Sequence, residues 1–133
     1  MNDVLSEERV LFERGDYIVS VRKYWDGDMV YRLVDIEVGL ALELYFREDV
    51  ENGVRQVIVR IVDLDDYWNK ISMSRFFEDV SKFEEVKNRA SQITNPDDFM
   101  GLFLEMLSPS LGLLYEEIKR RISYLRRLAN EIE

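Results

Sequence analysis

The apolar residues of this chain change their spacing partway along it, and that change limits the fold more than any single motif does. From Ile36 to Phe46 every second residue is apolar: Ile36, Val38, Leu40, Leu42, Leu44 and Phe46, with Glu37, Gly39, Ala41, Glu43 and Tyr45 between them. A period of two puts one set on one face of a β-strand and the other set on the opposite face. Further along, Met73, Phe76, Phe77, Val80, Phe83, Val86, Ala90 and Ile93 recur at helical spacing. Strands come first and helices after, with no internal repeat or linker between them. We expect one α+β domain over residues 1–133. A sheet half (residues 9–63) would form an antiparallel meander of about four strands, and a helical half (residues 66–132) would pack three helices on one face of it.

Turn residues divide the sheet half. Tyr17 to Trp25 alternates, Asp26-Gly27-Asp28 turns the chain, and Met29, Tyr31 and Leu33 return. A loop of three residues would pair Trp25 with Met29 and Val21 with Leu33; a loop of two would set Val21 against Arg32. Apolar partners favour the first register. Asn52-Gly53 is a type I′ signal that would oppose Phe46 to Val59 and Leu44 to Ile61. The opening segment reads two ways. Ser6 would cap a short helix stopped by Gly15, or Arg9 to Glu13 would form a strand turning at Arg14-Gly15-Asp16; the helix is the preferred reading.

The helical half carries its own start signals. Asn95-Pro96-Asp97-Asp98 supplies an Asn cap, a proline at the first helical position and acids in the first turn. The helix it starts is apolar nearly all round, as Phe99, Met100, Leu102, Phe103, Leu104, Met106 and Leu107 show. Ser108-Pro109 would cap a last helix whose residues Leu111, Tyr115, Ile118, Ile122, Leu125, Ala129 and Ile132 repeat at four and three. Lys119, Arg121 and Arg126 flank that seam, which disfavours parallel self-pairing and suits an acidic surface. Phe99 to Tyr115 holds one charge, Glu105, but its Ser-Pro-Ser interruption and its length read as two helices rather than a membrane span. Gly39 and Ala41 would leave a flat patch on the sheet's second face.

Composition then narrows the chemistry. The chain has no histidine and no cysteine, so Ser-His and Cys-His catalysis, thiolate metal sites and disulfides are excluded. With 27 acidic against 18 basic residues the net charge is −9, a surface that repels nucleic acid and anionic membrane. The lack of cysteine and of an apolar leader among residues 1–15 suggests a cytoplasmic protein. Dense charge without cysteine is also a hyperthermophile pattern. No glycine-rich phosphate loop is present, and no cofactor is expected.

One stretch invites a catalytic reading. Val57 to Trp68 reads VIVRIVDLDDYW, an apolar strand running into Asp63, Asp65 and Asp66. It resembles the opening motif of the haloacid-dehalogenase-type phosphatases. That resemblance implies a nucleophile at Asp63, a general acid at Asp65 and a Mg²⁺ ion between them. It covers about ten residues. The family has Thr or Val two places beyond the second Asp, where this chain has Tyr67, and it needs a doubly wound parallel sheet. Capping by these acids is the preferred reading.

The sequence thus points to a small acidic, non-catalytic protein that binds another protein, or a second copy of itself, as an adaptor, inhibitor or assembly factor. Contact residues would be Phe99, Phe103, Leu111, Tyr115, Ile118, Ile122 and Leu125. Two alternatives stand beside it. One is a metal-binding protein or hydrolase using Asp63, Asp65 and Asp66. The other is a nucleic-acid binder using Lys119, Arg120, Arg121, Arg126 and Arg127, with Tyr124 among them.

Overall fold

The computed structural model describes residues 5–66 and 70–107. Six strands follow in order: β1 (Leu5–Arg14), β2 (Tyr17–Tyr24), β3 (Met29–Asp35), β4 (Leu40–Asp49), β5 (Val54–Asp63) and β6 (Lys70–Phe76). They form one antiparallel meander in which every strand lies beside its chain neighbours. Two helices come after, α1 (Val80–Ser91) and α2 (Pro96–Leu107). The α+β class and the strands-then-helices order match the change of period. The third helix read from residues 108–132 lies outside the described residues.

The period-two pattern sorts the sheet into two faces. Val19 and Val21 of β2, Tyr31 and Leu33 of β3, Leu42, Leu44 and Phe46 of β4, and Val57, Val59 and Ile61 of β5 all enter one buried cluster. Both helices press onto that face, contributing Phe83, Val86 and Ala90 from α1 and Phe99, Phe103 and Met106 from α2. Phe46 ties the layers together. Its ring meets Tyr31 edge-on at 5.7 Å and Phe83 at 6.2 Å, and Phe83 meets Phe77 at 5.8 Å. Burying each such side chain is worth about 1.5–3 kcal/mol.

The sheet is larger than expected at both ends. Residues 5–14 are strand β1, not a helix, because only a strand covers the edge of β2 while sending Leu11 and Phe12 to the core. Its pairing with β2 breaks register between Leu5 and Glu7 and again between Val10 and Phe12, bulges that bend an edge strand. At the other end, Lys70–Phe76 is strand β6, where the helical stripe was extended too far back. In KISMSRF the serines alternate with Ile71 and Met73, a strand signal that the aromatic pair Phe76-Phe77 obscured. The helix begins where Asp79 accepts hydrogen bonds from the Ser81 amide at 2.9 Å and its hydroxyl at 2.7 Å. The α2 start is as read: the Asp98 amide donates to Asn95 Oδ1 at 2.9 Å, one residue before Pro96.

Both expected hairpins form, each with its register moved by two residues. Val21 faces Tyr31 rather than Leu33, and Trp25 sits in the loop, 70% exposed. Leu44 faces Val59 and Phe46 faces Val57. A shift of two keeps every side chain on its face, so burial cannot tell these registers apart; the turn does. At β4–β5 only Gly53 has positive φ, at 65°, which rules out a type I′ turn at Asn52-Gly53. Instead Asp49 holds Asn52 through its amide at 3.2 Å and its side chain at 2.7 Å, giving a four-residue loop. The run from Ile36 to Phe46 is also not one strand. Ile36 to Gly39 turn the chain, closed by the Gly39 amide on the Asp35 carbonyl at 2.9 Å, with Gly39 at φ 77°. Gly39 therefore belongs to a turn, and Ala41 alone lies on the second face.

Candidate binding surface

That second face follows from the same alternation. It presents Val30, Arg32 and Val34 from β3, Ala41, Glu43 and Tyr45 from β4, and Ile58, Arg60 and Val62 from β5. The register lines Arg32 up with Glu43 and Glu43 with Arg60. Ser20 on β2 and Ser72 on β6 extend the row to five strands. On one side of this polar row run Val34, Ala41 and Val62; on the other run Val30, Tyr45 and Ile58. Both α1 and α2 pack into the opposite cluster; on this face Val30, Ala41, Glu43 and Val62 are nevertheless buried, and Arg32, Val34, Tyr45, Ile58 and Arg60 are partly exposed.

The row is an ion triad with unequal arms. Arg32 donates to Glu43 Oε2 from Nε at 2.8 Å and from a terminal amino group at 2.6 Å. Arg60 places its Nε 3.1 Å from Glu43 Oε1, yet the angle is poor and that buried nitrogen makes no hydrogen bond. The Arg60 guanidinium lies over the Tyr45 ring, 5.0 Å from its centroid, a cation–π contact. Side-chain exposure is 7% for Glu43, 19% for Arg32 and 23% for Arg60. Two arginines share one carboxylate, so a half-buried positive charge is left over.

Tyr45 joins this row to the β2–β3 loop. Its hydroxyl donates to Asp28 Oδ2 at 3.0 Å, and its ring runs nearly parallel to that of Tyr24, with centroids 6.4 Å apart. Burial pushes the Asp28 carboxyl above its ordinary pKa, and the Tyr45 hydrogen bond only partly offsets this. Asp26 turns back to accept the Asp28 amide at 3.0 Å, so the two acids of this loop are partnered separately.

The acidic segment after β5 is built as a turn. Asp63 Oδ1 accepts the amides of Asp65 at 2.9 Å and Asp66 at 3.3 Å, and the Leu64 amide donates to the Gly39 carbonyl at 2.8 Å. The nucleophile position of the phosphatase resemblance is thus an Asx-type cap. Its strand lies between two antiparallel neighbours, so the parallel sheet that resemblance implies is missing. Among the described residues no three acidic side chains converge as metal ligands.

Of the residues read as a protein interface, Phe99 and Phe103 are fully buried in the core, their rings stacked 5.9 Å apart. Leu111, Tyr115, Ile118, Ile122 and Leu125 lie outside the described residues, as do Lys119, Arg120, Arg121, Arg126 and Arg127 of the nucleic-acid reading. The row of Arg32, Glu43 and Arg60 escaped the sequence. Its signal is a charge at the middle of three successive strands, but the register expected at Asn52-Gly53 sets Glu43 against Val62, two residues from Arg60. Among the described residues no helix is long and apolar enough to cross a membrane. Comparison of the chain with protein families, with curated proteins and with solved structures finds no match.

Proposed function

We propose that this protein acts by binding another protein, as an adaptor, inhibitor or assembly factor, and not by catalysis. One observation carries the reading: the sheet spends one face on its own helices and carries across the other a charged row in which Arg32 and Arg60 keep 19% and 23% side-chain exposure. Arginine and tyrosine, which meet here in the Arg60–Tyr45 contact, are enriched in recognition surfaces. The chemistry left to the chain supports the same view. With no histidine or cysteine, a hydrolase would have to run on carboxylate, lysine or tyrosine chemistry, and Asp63 is engaged by two backbone amides. The heptad-spaced positions Leu111, Tyr115, Ile118, Ile122 and Leu125 are a second candidate contact on sequence grounds.

Light scattering of the full chain across a concentration range separates self-association from binding to a foreign protein. Turnover of p-nitrophenyl phosphate with Mg²⁺, and calorimetric titration with Mg²⁺, Mn²⁺ and Ca²⁺, test the competing chemistry. We expect neither turnover nor heat. Turnover abolished by Asp63→Asn would replace this reading with a phosphatase.

A further inference from the structure

We infer that the second face of the sheet is covered by this chain's own heptad segment, residues 111–132, laid with its seam of Tyr115, Ile118, Ile122 and Leu125 against the strands. The burial of that face requires a cover. Val30 is 3% exposed, Ala41 0% and Val62 6%, yet none of the three belongs to the cluster that both helices enter. Glu43, at 5%, lies among them. An antiparallel sheet with one face in water keeps that face polar and solvated, whereas this one seals two valines and an alanine. They are buried within a single chain, so the cover belongs to that chain. Beyond the described residues the chain has three stretches: 1–4, 67–69 and 108–133. The first has four residues, and the second joins β5 to β6 at the end of those strands. Only the third is long enough to lie over β3, β4 and β5.

The place where α2 ends favours the same occupant. The Glu105 carbonyl in its last turn accepts a hydrogen bond from the Arg75 guanidinium of β6 at 3.2 Å, and β6 is an outer strand of the sheet. The chain therefore leaves the first face beside an edge, with the second face just around it. A helix over residues 111–132 would be about 33 Å long. Six strands about 4.8 Å apart span about 24 Å, so such a helix crosses the whole sheet. Its single apolar stripe suits one sheet face. Charge agrees as well. Residues 115–133 hold five basic and four acidic side chains, against 13 and 23 in the rest of the chain, so the segment folds back onto a domain of opposite sign. The inference narrows the protein-binding reading without depending on it. The seam is spent within the chain, and a partner meets Arg32 and Arg60 only through the 19% and 23% of their side chains left exposed.

The test measures distances in the full chain by electron spin resonance. The chain has no cysteine, so spin labels attach only where cysteines are introduced. One pair joins Ser74→Cys, exposed on the second face of β6, to Ser123→Cys, off the seam. The other joins Glu84→Cys, exposed on α1, to the same Ser123→Cys. We expect the first distance to be shorter than the second by at least about 10 Å, the thickness of one layer. Equal distances, or a shorter one to residue 84, would overturn the inference. Dilution of the doubly labelled chain with an excess of unlabelled chain should leave the short distance in place; its loss would give the face to a second copy's segment, which also overturns it. Ile122→Asp, on the seam, should lengthen the Ser74 distance and Arg127→Asp, off it, should not, with circular dichroism checking that both stay folded; equal effects would refute the seam as the contact. None of these outcomes touches the protein-binding reading, which falls instead to phosphatase turnover.

Discussion

Replacing Glu43 with glutamine removes the shared carboxylate while keeping the shape of the side chain. Glu43 lies within 2.6 Å of one guanidinium nitrogen of Arg32 and 3.1 Å of one of Arg60. Charge centres about 4 Å apart attract by about 4 kcal/mol at an effective dielectric of 20, much of which is offset by the desolvation of burying Glu43. What decides the outcome is the state left behind: two half-buried arginines without a counter-charge. Breaking a buried pair from one side costs about 3–5 kcal/mol. The arginines retain 19% and 23% exposure, so we reduce the figure to about 2–3 kcal/mol. For a chain of this size that lowers Tm by about 10 °C. Arg60→Gln should cost about 1 kcal/mol or less, because Arg60 makes no hydrogen bond through Nε and its removal leaves Arg32 and Glu43 paired. Replacing all three charges together by Met, Leu and Met should be near neutral or stabilising, as for other buried triads exchanged for apolar residues. Urea denaturation at neutral pH with an unchanged m-value is the assay. A Glu43→Gln variant within about 0.5 kcal/mol of the parent, or one less destabilised than Arg60→Gln, would refute the reasoning.

Two further outcomes follow from the same structure. Phe103→Ala should cost about 3–5 kcal/mol, since the side chain is fully buried and stacked on Phe99; urea midpoints will show it. Stability against pH should carry two opposing contributions. Arg89 grips Glu105 with two hydrogen bonds, at 2.8 and 2.7 Å, holding the Glu105 carboxyl below its ordinary range. This contribution is present above the unfolded carboxylate pKa and is lost as pH falls through the lowered folded value; with both partners exposed it is worth at most about 1 kcal/mol. Asp28 has its pKa raised by burial, so its favourable contribution is complete below the unfolded value and is lost as pH rises through the raised one. Glu105→Gln should therefore flatten the acid limb of a stability profile, and Asp28→Asn should stabilise the protein at neutral pH but not in acid.

How much of this could be read from the residues varies element by element. The face assigned to each inner residue of β2 to β5 was legible, because alternation is a local property of the chain. The start of α2 was legible too, because Asn95, Pro96 and Asp98 act within one turn. The register of β4 against β5 was not: Phe46 is apolar opposite either Val59 or Val57, and only the Asp49–Asn52 contacts choose between them. The strands β1 and β6 were misread for a related reason. Each is an edge strand paired on one side only, and in β1 the alternation is broken where Leu11 and Phe12 both turn to the core across a register shift. The candidate surface was lost with the register, since Arg32, Glu43 and Arg60 become a row only when three strands are aligned correctly.

The chain by itself determined the class of fold, the inward face of the central strands, and which chemistries are closed to it. Those are sums over local spacing and over residue types, which no folding can alter. Tertiary structure decided which residues stand opposite one another, that residues 5–14 and 70–76 extend the sheet, and that two arginines meet one glutamate on its second face. Such pairings depend on turn geometry and on contacts between segments far apart in sequence, where shifts of two residues cost no burial and leave the local pattern unchanged.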